Sequence, residues 1–237
     1  MIDELQNRLA NLSNSEDGLF LQRFFKTGPG QYGEGDLFRG IRVPELRRLS
    51  KAHQEMPLEQ VEQLLHSAYH EDRLLSLLIL VRKYARADEK GQATIYKLYL
   101  SNTKFINNWD LVDSSAEYIV GAYLSDKSQK PLDYLARSHI IWERRIAILA
   151  TFHFIRQGKF DTTLRIAERL LTDKEDLIHK AVGWMLREVG KRDLKKEETF
   201  LREHHRRMPR TMLRYAIEKF PEDKRQRYLK GTISIGR

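Results

Sequence analysis

The 237-residue chain contains no cysteine. That excludes a disulfide framework, Cys-ligated zinc, a thiolate-held iron–sulfur cluster and a Cys nucleophile, and it points to an intracellular protein. Proline and glycine are scarce, at 6 and 13, and the glycines crowd between Gly28 and Gly40. Most of the remaining chain is therefore free to be helical. Long hydrophobic runs are missing too: the greasiest stretch, Leu74 to Val81, is far too short to cross a bilayer. The opening MIDELQNRLANLS is acidic and amphipathic rather than basic and then apolar, so a soluble protein without a signal peptide is expected. No alternating strand pattern is present. What remains, 41% hydrophobic and 10% aromatic, is enough to bury a core, which rules out disorder and fibres.

Charge is abundant and biased. Lys plus Arg total 42 against 33 Asp plus Glu, a net charge of +9, and the pI is near 9.6. Such a balance is the electrostatic footprint of a nucleic-acid binder. Between Lys191 and Lys230 stand 14 basic and 7 acidic residues, so the basic end is C-terminal. A Lys/Arg-rich exterior is also the ordinary solvated face of a helix, and charge alone does not separate the two readings.

Apolar residues recur at three and four, as in Leu74, Leu75, Leu78 and Ile79, or Ile146, Leu149, Ala150 and Phe154. Breaks fall at Thr27 to Gly40, Met56-Pro57, Ala87-Asp88, Ser125 to Pro131, Gly158, Thr172-Asp173, Met208-Pro209 and Phe220-Pro221. They predict an all-α chain of short helices. Four segments resemble one another: RLLSLLILVRKYA from Arg73, WDLVDSSAEYIVGAYL from Trp109, RIAILATFHFI from Arg145 and AVGWMLREVGK from Ala181, each 36 residues after the last. A period of this length is the signature of stacked two-helix repeats. The tetratricopeptide pattern is absent and the degenerate apolar pattern suits HEAT-like repeats, so the expectation is an α-α superhelix with a concave wall, one domain over 1–237.

Two formal motifs carry little. Gly28, Gly30 and Gly33 match a dinucleotide fingerprint, but no βαβ unit surrounds them and Pro29 interrupts them. His66 and His70 are i, i+4 on an expected helix without a third ligand or an intervening catalytic Glu, so no metal site is expected. The tryptophans are more informative. Trp109 and Asp113 share a helix face, as do Trp142 and Arg145, and Lys180, Trp184 and Arg187 form a third aromatic-basic face. In stacked inner helices these faces can converge on one patch, where a carboxylate, aromatic rings and cations make a candidate site. Spacing alone leaves Asp110 open beside Asp113. No proton donor suggests itself nearby, since His139 lies outside the Trp142 face.

FINNWDLVDSS, IIWERRIAIL, IHKAVGWMLRE and, near the start, LFRGIRVPELRRL together resemble the HEAT-repeat DNA alkylation-repair glycosylases of the AlkD type, from about Phe20 to the C-terminal helices. The resemblance implies excision of cationic N3- or N7-alkylated purines such as 3-methyladenine and 7-methylguanine from double-stranded DNA. It implies no cofactor, no metal and no pocket enclosing the damaged base. It makes Asp113 the catalytic carboxylate, Trp109 and Trp184 aromatic walls, Arg145 a phosphate clamp and Arg187 a further basic contact. It also fits a monomer in a bacterial-type cytoplasm, on the nucleoid when bound. The chemistry is coherent, because an alkylated purine is already an activated leaving group and a carboxylate stabilises the sugar cation that develops. Asp113 is expected early in a helix starting near Asn107 or Asn108, where the positive end of the dipole favours its anion. Lys180, Arg42, Arg47, Arg48, Arg206, Arg207, Arg210 and Arg214 are expected to follow phosphates, and Pro44 to open a helix whose amides face one. A non-catalytic binder of damaged or branched DNA, and a HEAT-repeat adaptor for another protein, remain alternatives in the same fold.

Overall fold

The computed structural model describes residues 2–233. Among them every regular element is helical apart from one isolated bridge between Leu37 and Tyr69. The protein is all-α, as the apolar period predicts. Its contacts resolve into two compact units, 1–119 and 120–237.

The first unit runs α1 (Ile2–Asn11), α2 (Ser15–Phe24), α3 (Val43–Ala52), α4 (Leu58–Leu65), α5 (His70–Arg86), α6 (Glu89–Ser101) and α7 (Trp109–Asp113). Its hub is α5, which packs against α3, α4, α6 and α7. Surrounded in this way, α5 is buried without interruption from His70 to Leu80, polar residues included. The long loop between α2 and α3 is shaped by glycine at one decisive point. Gly40 takes φ +79°, and a Cβ there would stand 2.1 Å from the Asn14 carbonyl oxygen. No other residue fits.

The second unit runs α8 (Lys130–Leu135), α9 (Ile141–Ala150), α10 (Phe152–Arg156), α11 (Asp161–Arg169), α12 (Asp176–Gly190), α13 (Leu194–His204), α14 (Arg210–Ala216) and α15 (Glu222–Lys230). Here α12 is the hub, against α9, α11, α13 and α14. Gly183 permits its close approach to α14, since a Cβ would meet the Met212 carbonyl oxygen at 2.4 Å and the Tyr215 Cβ at 2.5 Å.

The predicted breaks all separate helices, and the proline-marked ones open the next helix: Pro57 caps α4, Pro209 caps α14 and Pro221 caps α15. Further breaks carry no proline. The chain turns at Ser67 between α4 and α5, runs through a 3₁₀ turn at Thr103–Phe105, interrupts α7 at Ser114 and divides α9 from α10 at Thr151. The repeat is correspondingly less regular than 36 residues. The segments from Arg73 and Ala181 lie within continuous helices, whereas those from Trp109 and Arg145 are broken.

Candidate active site

Asn108 opens α7 as the sequence suggests: its side-chain oxygen accepts the Trp109 amide at 2.8 Å. The helix then stops after five residues. The Ser114 hydroxyl donates to the Asp110 carbonyl at 2.6 Å and the Ser115 hydroxyl to the Leu111 carbonyl at 2.5 Å, and the chain passes into a π-helical turn at Glu117–Gly121. Asp113 is therefore the last residue of α7. The expectation that a helix N-terminus supports its charge is corrected, because α7 is only five residues long and Asp113 is its last.

Asp110 and Asp113 both line a cavity of about 500 Å³ within the first unit. The resemblance implies an enzyme without a pocket for the base, yet the carboxylates stand in a concavity. Phe24, Phe25, Phe38 and Trp109 wall it, with Leu46, Leu74 and Leu78 behind and Arg42 and Arg47 also lining it. Trp109 stacks on Phe25 at 5.4 Å and meets Phe24 edge-on at 6.2 Å.

Asp110 has a buried partner. Asp110 Oδ2 accepts from His70 Nε2 at 2.8 Å and its Oδ1 accepts the Leu111 amide at 2.9 Å. His70 is 2% exposed and packs against the rings of both Phe25 and Phe38, at 4.8 and 4.7 Å. Burial alone pulls an imidazole down, but Asp110 and then Asp36 outweigh it and lift His70 to about 9. It is an imidazolium at neutral pH. Asp36 completes the arrangement, 3.5 Å from His70 Nδ1 and 2.7 Å from Arg73, with the Asn107 amide donating to it at 2.9 Å. Burial pushes Asp36 up, but His70, Arg73 and Asn107 together hold it below the ordinary carboxylate value.

This charged floor was not anticipated. The run His70-Glu71-Asp72-Arg73 opens α5, and every member reaches back to the loop before α3. Glu71 accepts the amides of Arg39, Gly40 and Ile41, Asp72 pairs with Arg39 through two bonds of 2.7 and 2.8 Å, and Arg73 pairs with Asp36. Four ionisable residues directly ahead of an apolar run are the available signal, because charges buried beside a core must be paired. The same turn corrects the histidine reading. His66 closes α4 and bonds Asn102 at 2.6 Å, while His70 opens α5, so the two share no helix face.

In the second unit, Trp142 is buried at 6% exposure. Arg145 is 5% exposed, and its guanidinium donates to the Leu177 carbonyl. Trp184 is half-buried against the edge of Phe152 at 5.9 Å, its Nε1 donating to Glu188 at 3.3 Å. Lys180 pairs with Asp176 at 2.8 Å and Arg187 with Glu218. Arg206, Arg207, Arg210 and Arg214 are exposed, Arg210 donating to the Leu229 carbonyl.

Back in the first unit, Arg42 pairs with Asp17 and Arg48 with Glu45, while Arg47 is exposed. Pro44 stands in the first turn of α3, one residue after its start at Val43. Among the described residues no group of three His, Cys, Asp or Glu could hold a metal ion, and no helix is long and apolar enough to cross a membrane.

A family model described as DNA alkylation repair enzyme matches residues 5–220. No curated protein matches the sequence. A solved structure, a predicted DNA alkylation repair enzyme from Enterococcus faecalis, is similar with a TM-score of 0.68 and 18% identity, over 89% of this chain and 97% of that one. At that identity the likeness speaks for the fold.

Proposed function

This chain belongs to the DNA alkylation repair enzymes, and from that premise we propose that it is a glycosylase hydrolysing the N-glycosidic bond of cationic N3- or N7-alkylated purines in duplex DNA. The observation that carries the reading is that Asp113 and Trp109, one helix turn apart, line one aromatic cavity together with Arg42 and Arg47. Asp110, which also lines it, is bonded to the buried His70.

In this reading the sugar of the damaged nucleotide enters the cavity and the base stays at its mouth. The bond from C1′ to the alkylated nitrogen breaks and its electron pair leaves with the purine, whose positive charge is thereby neutralised. Positive charge develops on the sugar. Asp113 stabilises it, Trp109 adds the attraction of an aromatic face, and a water oxygen bonds to C1′ as its proton passes to Asp113 or solvent. Since no general acid is invoked, the substrate must bring its own leaving-group activation.

Binding is assigned to cations of both units. Arg47, Arg206, Arg207, Arg210 and Arg214 are exposed, and Arg42, Arg48, Lys180 and Arg187 pair with acids that a phosphate can replace. The first turn of α3 around Pro44 adds backbone amides, Trp184 an aromatic wall and Arg145 a phosphate clamp. The enzyme acts as a monomer in the cytoplasm.

A single-turnover assay on duplexes differing only in the lesion tests the whole reading. Release of 7-methylguanine and 3-methyladenine is expected, with little release of uracil or hypoxanthine. Efficient uracil excision would reveal a general acid and refute the mechanism. Tight DNA binding with no release of any base would favour the non-catalytic binder.

A further inference from the structure

The cavity wall does not end at the cavity. Phe24, which lines it, is 54% exposed, and Phe20, one turn earlier on α2, is also 54% exposed. The two rings stack, with centroids 6.4 Å apart and planes 15° from parallel. Phe24 in turn meets Trp109 at 6.2 Å, and Trp109 stacks on Phe25 at 5.4 Å. One aromatic series thus runs from solvent to the wall beside Asp113. Large apolar side chains exposed together at a site mouth are the feature that calls for an occupant.

The surroundings select that occupant. Arg42 and Arg47 line the same cavity as Phe24, and Arg23 and Lys26 flank it in sequence, all four exposed. Flat apolar faces set among cations match a nucleic acid, which presents π-faces along a polyanionic backbone. Asp113 lines a concavity, so a sugar reaches it only if the nucleotide leaves the regular stack. That displacement uncovers the face of a neighbouring base.

We infer that Phe20 and Phe24 form a stacking platform for a base flanking the alkylated nucleotide, compensating the stacking lost when the sugar is drawn toward Asp113. The inference rests on the glycosylase reading. It adds a contact outside the reacting atoms, and it places aromatic wedges beside the damaged step.

Phe20 allows a clean test, since it is exposed and does not line the cavity. The probe is a duplex carrying one pyrrolidine abasic residue, a cationic mimic of the sugar in the transition state that leaves its neighbours uncovered. Full-length Phe20→Ala and Phe20→Leu are each expected to bind it about five-fold or more weakly than wild type, the lower end of one lost base–aromatic stack. Both should bind intact duplex unchanged, and Phe20→Trp should retain wild-type affinity. Phe20→Leu retaining full affinity would show a generic apolar contact and overturn the platform. So would equal losses on both duplexes, or a wild-type dimer that Phe20→Ala dissolves, which would assign the rings to a second copy. If wild type prefers the abasic mimic and Phe20→Ala keeps that preference, the platform fails while the glycosylase reading stands. If wild type neither releases alkylated bases nor prefers the mimic, both fall.

Discussion

Replacing His70 by Gln tests the charged floor, because the expected effect has both a magnitude and a pH window. In the native state His70 holds its proton to about 9, against an ordinary value of 6.5. Between those values the native state binds a proton that the unfolded chain does not, so unfolding stability falls as pH rises. The contribution is complete below about pH 6.5 and is lost as pH climbs through about 9. A difference of that size corresponds to roughly 3 kcal/mol for a group this thoroughly buried.

Glu197 must be separated from this signal. Burial, with Glu198 adding to it, pushes its carboxyl up to about 8. Its contribution is present below its ordinary 4.5 and disappears as pH passes about 8. It acts identically in both proteins. Denaturant unfolding of wild type and His70→Gln from pH 6 to 10 therefore isolates His70 in the difference: the variant should be destabilised most near pH 6 and converge on wild type above pH 9. Glutamine can still donate to Asp110, so what is removed is the charge. Curves that run parallel across the range would refute the imidazolium assignment.

Asp113→Asn is expected to lower base release by two orders of magnitude or more while duplex affinity stays near wild type, as for a group acting mainly in the transition state; undiminished release would move the role to Asp110. Arg145→Ala should weaken binding to duplexes of any sequence, and the slope of log affinity against log salt should be shallower by about one; an unchanged slope would make Arg145 a structural donor to Leu177. Gly183→Ala should lower stability by roughly 1–3 kcal/mol, since its new methyl meets backbone of α14 that cannot rotate aside. An unshifted thermal midpoint would show that the two helices separate freely.

The helical class and its punctuation were readable in the chain, because apolar period, proline and glycine act over a few residues. Asn108 as a cap, Pro57, Pro209 and Pro221 as helix openers and Gly158 as a break are local chemistry of this kind. That Trp109 and Asp113 face one cavity was equally readable, since residues four apart on a helix share a face. Tertiary structure decided the rest. Where α7 ends, ahead of the π-helical turn at Glu117–Gly121, is fixed by neither spacing nor propensity. The partner of Asp110 is His70, forty residues earlier and bonded to it at 2.8 Å, which no local pattern predicts. That Phe20 and Phe24 stand in water was decided by packing. Local patterns determine which face a residue occupies, but the charge and exposure of that face are set by partners that are distant in sequence and meet only in the folded chain.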